Sequence, residues 1–107
     1  MGQREHTRVS KKVRDEVLER DGYKCISCGT THQLSIAHVF INRSHGGLGV
    51  KENLCVLCMT CHHQMDNGKT HEQEYMRHLV QMYMIDKHGK INTKRLKYNK
   101  WLDEEGL

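Results

Sequence analysis

Apolar residues are scarce in this chain. Hydrophobic types make up 36% of its 107 residues and aromatic types 6%, so any core it buries is small. That length holds one domain at most, and small cores often need a disulfide or a structural metal to stay folded. No apolar run approaches the roughly 18 to 20 residues of a membrane span. The start of the sequence has no apolar leader, and five cysteines cannot all pair, which weighs against a disulfide framework. These absences point to a soluble, cytoplasmic protein with no membrane partner. Internal repeats and low-complexity tracts are also missing. Gly68-Lys69-Thr70 lacks the earlier glycine of a phosphate-binding loop, because position 63 is His. The sequon at Asn42 has no use inside a cell.

What is present is charge at the ends and metal ligands in the middle. Residues 1–24 carry seven Lys/Arg against five acids, residues 25–85 four against four, and residues 86–107 six against four. Basic ends around a neutral centre suit a polyanion such as DNA, with Arg4, Arg8, Lys11 and Lys12 at one end and Lys90, Lys94, Arg95 and Lys97 at the other. The plainer reading of a formal charge of +4 is solubility alone.

Along the chain, Ser10 predicts an N-cap for a helix over 11–20 with Val13 and Val17 on one face, ended by the turn signal Asp21-Gly22. Residues 33–41 predict a strand, 42–53 a glycine-rich loop and 54–58 a second extended piece. Gly46, Gly47 and Gly49 are assigned to turn geometry. A short helix is expected from Cys61 to Asp66, stopped at Asn67-Gly68. A longer one, over about 71–87, has Thr70 and Gln73 at capping-box spacing and Met76, Leu79, Val80, Tyr83 and Met84 as a core-facing stripe. The tail offers one more short helix carrying Tyr98, Trp101 and Leu102. The fold class is therefore α+β. Residues 10–68 form its core and 70–107 a helical C-terminal extension, all within one domain.

Cys25-x-x-Cys28 and Cys58-x-x-Cys61 are two knuckles that together complete a four-thiolate tetrahedral shell, which favours structural zinc. Cys55 is left over and reads as a buried strand residue. Twenty-nine residues separate Cys28 from Cys58, so something folded sits inside the clip. His62 and Asp66 follow at i and i+4 on the expected helix and point the same way. They are either an open divalent-cation site or, more plainly, a zinc shield and a solvated helix end.

His38, Asn53 and His62, in that order and bracketed by the two knuckles, give the chain its resemblance to the HNH endonuclease family. The similarity runs from about residue 12 to 68. It extends through "VRDEVLERDGYKCISCG", "AHVFINRSHGGLGVKENL" and "LCMTCHHQMDNG", which look like the small phage and bacterial members with a zinc clip.

The resemblance implies a ββα-metal fold that hydrolyses DNA phosphodiesters to 5′-phosphate and 3′-hydroxyl ends. It would act in the host cytoplasm if phage-encoded. It makes His38 the general base and His62 the holder of a Mg2+ or Mn2+ ion, and Asn53 ties down the loop that aims His38. Asp66 matches a further ligand in some relatives. Many members carry Asp or His just before the base as a ligand, whereas this chain has Ala37. Arg43 and His45 stand where they either touch the phosphate or are simply solvated. The rival to a nuclease is an inactive zinc-knuckle DNA-binding module. A third reading is a structural part of a phage packaging or recombination assembly.

Overall fold

The computed structural model describes residues 6–97. Arg4 and the expected tail helix with Tyr98, Trp101 and Leu102 lie outside those residues.

Helix α1, Lys11–Arg20, is capped where Ser10 Oγ accepts from Val13 N at 3.2 Å. Its apolar side is narrow: Val17 is fully buried, with Val13 and Leu18 packed beside it. The helix stops at Asp21, after which Gly22 and Tyr23 both take positive φ, at 76° and 57°.

Strands β1, Leu34–His38, and β2, Leu54–Cys58, pair antiparallel, with Leu34 opposite Cys58 and His38 opposite Leu54. Alternation sends Leu34, Ile36, Leu54 and Val56 towards α1. Ala37, Cys55 and Leu57 go into the main core with Met65, Met76, Val80 and Met84. All five residues of β2 are buried. Its outer edge is closed by Val56 N donating to Asp21 Oδ2 at 2.9 Å and by Ile26 N donating to Val56 O at 3.1 Å.

β1 ends three residues before the expected limit of 41. Val39 N still reaches Asn53 O, but Phe40 N and Ile41 N donate to the Asn53 side chain instead of to a strand. One buried amide thus ends the ladder, which hydrophobic patterning cannot register.

Helix α2 runs Met59–Asn67, longer than the expected 61–66, because Cys58 itself is the cap: its Sγ accepts from Cys61 N at 3.4 Å. Helix α3 runs Thr70–His88. Thr70 is its first residue rather than its cap. Glu72 accepts from Lys69 N at 3.2 Å, while Gln73 donates to Gly68 O at 3.0 Å and Asp66 O at 3.3 Å, bracing the α2–α3 corner. The stripe on α3 packs as expected, with Met76, Val80 and Met84 buried and Leu79 and Tyr83 against them.

The loop between the strands holds two 3₁₀ turns, Arg43–His45 and Lys51–Asn53. Gly46 serves the first of these with φ of 86°. Gly47 and Gly49 do something else: a Cβ would collide with Ile41 O at Gly47 and with Arg8 O at Gly49. Segments from both ends of the described chain clasp this loop, through Gly49 N to His6 O at 3.1 Å and Leu48 N to Leu96 O at 2.7 Å. A last 3₁₀ turn, Thr93–Leu96, carries Lys94 and Arg95. The result is a small α+β fold, a β-hairpin set among helices, with a four-cysteine cluster. Among the described residues no helix is long and apolar enough to cross a membrane.

Candidate metal centre and adjoining cleft

The first knuckle follows the turn after α1, and the second joins the end of β2 to the first turn of α2. Hairpin closure therefore brings the two pairs together. The Sγ atoms of Cys25, Cys28, Cys58 and Cys61 all lie within 4.8 Å of one another. Cys28 and Cys58 are 3.7 Å apart, against the about 3.8 Å that a Zn–S distance of about 2.3 Å gives along a tetrahedron edge. Backbone N–H groups already point at the sulfurs: Cys28 N to Cys25 Sγ at 3.5 Å and Cys61 N to Cys58 Sγ at 3.4 Å. Burial pushes the Cys25 thiol up, but hydrogen bonds from the backbone at Cys28, Cys58 and Ser27 bring it down to about 7. Burial pushes Cys61 to about 12. A zinc ion would take all four as thiolates and remove both burdens. Donor type, count and spacing fit structural zinc. Cys55 stays apart, fully buried in β2, and burial raises its thiol.

Beside the hairpin lies a separate cleft of about 480 Å³, lined by residues that include His38, Arg43, His62, Asp66 and Arg77. β1 supplies His38, the loop Arg43, α2 His62 and Asp66, and α3 Arg77. His62 Nε2 is 3.2 Å from Asp66 Oδ2, and Arg77 NH2 is 3.8 Å from Asp66 Oδ1. Among the described residues, Asp66 is the only carboxylate in this lining. One imidazole and one carboxylate are too few to enclose a cation. They suit an open site whose remaining positions go to water or substrate.

His38 Nε2 lies 3.3 Å from Thr7 O. A carbonyl only accepts, so the neutral ring carries its hydrogen on Nε2 and leaves Nδ1 with a lone pair. Burial pushes His38 below its ordinary value, and the nearby Arg43 and His62 add to this, outweighing the Thr7 carbonyl and Asp66. The ring is therefore neutral at neutral pH.

Asn53 does not enter the cleft. It is fully buried behind it, with Oδ1 accepting from Phe40 N and Ile41 N at 2.9 and 3.2 Å and Nδ2 donating to Ile41 O and Leu48 O, both at 3.1 Å. Ala37 is also fully buried, on the core side. Of the expected DNA contacts, Arg43 lines the cleft, while exposed His45 is outside that lining. Lys11 is exposed and paired with Asp15 at 3.2 Å, and Lys12 is exposed on the same helix. Lys94 and Arg95 sit in the 3₁₀ turn, Arg95 bordering another hollow with His88 and Lys90. Arg77 lines the cleft, and Ser35 stands behind it with Oγ 2.9 Å from His62 Nδ1; neither was singled out by sequence. Arg77 is eleven residues from Asp66, a separation that means nothing until α2 and α3 pack. Ser35 reads as an ordinary polar position in an alternating strand.

No family model matches the chain, and no curated protein or solved structure resembles it significantly.

Proposed function

We propose that this protein is a metal-dependent endonuclease of the HNH type, which hydrolyses DNA phosphodiester bonds on a ββα-metal core clipped by zinc. The observation that carries the reading is the single cleft shared by His38, His62, Asp66 and two arginines drawn from four parts of the chain. In this mechanism His38 Nδ1 takes the proton of the attacking water, and Thr7 O holds the ring by its other nitrogen. Asn53 keeps the backbone after His38 in place. Arg43 and Arg77 balance charge on the phosphate. His62 Nε2 and Asp66 would hold Mg2+ or Mn2+, which when bound would supply positive charge to the phosphate and the leaving oxygen.

Ala37 supports a second reading. The position before the base is packed in the core and offers no ligand, so a DNA-binding module without activity also fits. Incubating supercoiled plasmid with and without Mg2+ or Mn2+ separates the two. Cleavage that requires the cation and disappears in His38→Ala is the expected result. DNA bound but uncut with either cation overturns the nuclease.

A further inference from the structure

Ser35 lies on β1 and His62 on α2, yet Ser35 Oγ is 2.9 Å from His62 Nδ1. The serine hydroxyl has one hydrogen, and it donates that hydrogen to Leu57 O on β2 at 2.8 Å. Towards the imidazole the oxygen therefore presents only lone pairs. With the hydroxyl hydrogen on Leu57 O, a neutral imidazole places its N–H at Nδ1 and its bare nitrogen at Nε2. That bare nitrogen faces Asp66 Oδ2 at 3.2 Å. Two acceptors at this separation repel each other unless a proton or a cation lies between them.

We propose that Ser35 is a positioning residue that fixes His62 as its Nδ1–H tautomer and so presents an Nε2–carboxylate pair to a divalent cation. The inference rests on His62 and Asp66 being the ligand pair and assigns Ser35 no contact with substrate. The chain of bonds runs from α2 through β1 to the backbone of β2, so the ring is oriented by the hairpin and not by its own helix. Helical spacing brings His62 and Asp66 to one side of α2, but only the hydroxyl selects which nitrogen faces the carboxylate.

Two measurements without DNA test it. In Mg2+-saturated protein at pH 8, nitrogen-15 NMR should show His62 protonated at Nδ1, with Nε2 free of hydrogen and facing the cation. The opposite tautomer overturns the proposal. In Mn2+ titrations followed by electron paramagnetic resonance, Ser35→Ala should bind about ten- to a hundredfold more weakly, the usual cost of losing such a support. Ser35→Thr, which keeps the hydroxyl and suits a strand, should restore binding. Equal affinity in Ser35→Ala and wild type overturns the role of Ser35. Wild type that binds neither Mg2+ nor Mn2+ overturns the ligand-pair reading instead. Should Ser35→Ala fail to fold, the wild-type spectrum and Ser35→Thr still decide the matter.

Discussion

A buried amide side chain is stable only when its polar atoms find partners, and Asn53 makes four such bonds. Asn53→Ala strands two backbone N–H groups and weakens the partners of two carbonyls, so it should cost roughly 3 to 5 kcal/mol in urea unfolding. It should also abolish any cleavage, since the backbone its side chain holds begins two residues after His38. His38 itself gives a pH dependence. Its folded value lies below its unfolded value, so below about 6.5 the unfolded chain binds the extra proton. The contribution to stability is complete above that pH and is lost as pH falls through the window beneath it. His88, lowered by burial and by Arg20, acts in the same direction. Melting temperatures should therefore drop between pH 7 and 5, and by less in His38→Ala. At this scale the sequence was most legible where a residue type has few uses: the four cysteines converge at zinc spacing. Ser35 and Arg77 were hidden because serine and arginine have many uses.

Elements are joined in this fold by polar bolts as well as by apolar contact. Asp21, the C-cap of α1, accepts from Arg20 Nε at 2.7 Å, from Val56 N on β2 at 2.9 Å and from Tyr83 Oη on α3 at 2.6 Å. Arg20 in turn donates to Leu54 O and Lys51 O and stands 3.0 Å from His88 Nε2. Burial and the bond to Asp21 push the Tyr83 hydroxyl well above its usual range. Tyr83→Phe should cost about 1 to 2 kcal/mol by losing one charge-assisted bond. Asp21→Ala should cost roughly 3 to 5 kcal/mol, because Arg20 is left half-buried without its counter-charge. Urea unfolding of both single variants and the double would give a coupling clearly different from zero. Sequence marked Asp21 only as a turn signal. Local preference does place the helix end there, but it carries no record of the two distant partners, Val56 and Tyr83. Helix and strand positions were readable because their causes are local: a serine cap, a two-residue alternation, a stripe on α3. The end of β1 was not, since a residue fifteen positions away sets it.

For the molecule as a whole, the proposed division of duties between a structural zinc and a second cation implies two classes of variant. Cys58→Ala, or strong chelation, should remove zinc and collapse the far-ultraviolet circular dichroism, since a core this small leans on the clip. His62→Ala and Asp66→Ala should keep zinc and melt within about 1 kcal/mol of wild type while losing cation-dependent cleavage. Equal loss of zinc in both classes would reduce His62 to a shield for the cysteines. Binding to DNA should weaken steeply with salt, by about 0.9 in the logarithmic slope for each phosphate neutralised. Removing Arg43 and Arg77 together should flatten that slope. The placement of basic residues at both ends was plain in the sequence, but only packing reveals that Arg43 and Arg77 share a cleft with the histidines.

The clasp on the strand-connecting loop also sets an order of events during synthesis. Leu48 N finds its acceptor at Leu96, nearly fifty positions later, whereas both knuckles and both cleft histidines have been made by residue 62. A growing chain can thus bind its zinc and close its hairpin while the loop beside His38 still lacks its final backbone bond. The metal clip and the hairpin come first, and the loop beside His38 receives its last backbone partner only when nearly all of the described fold has left the ribosome.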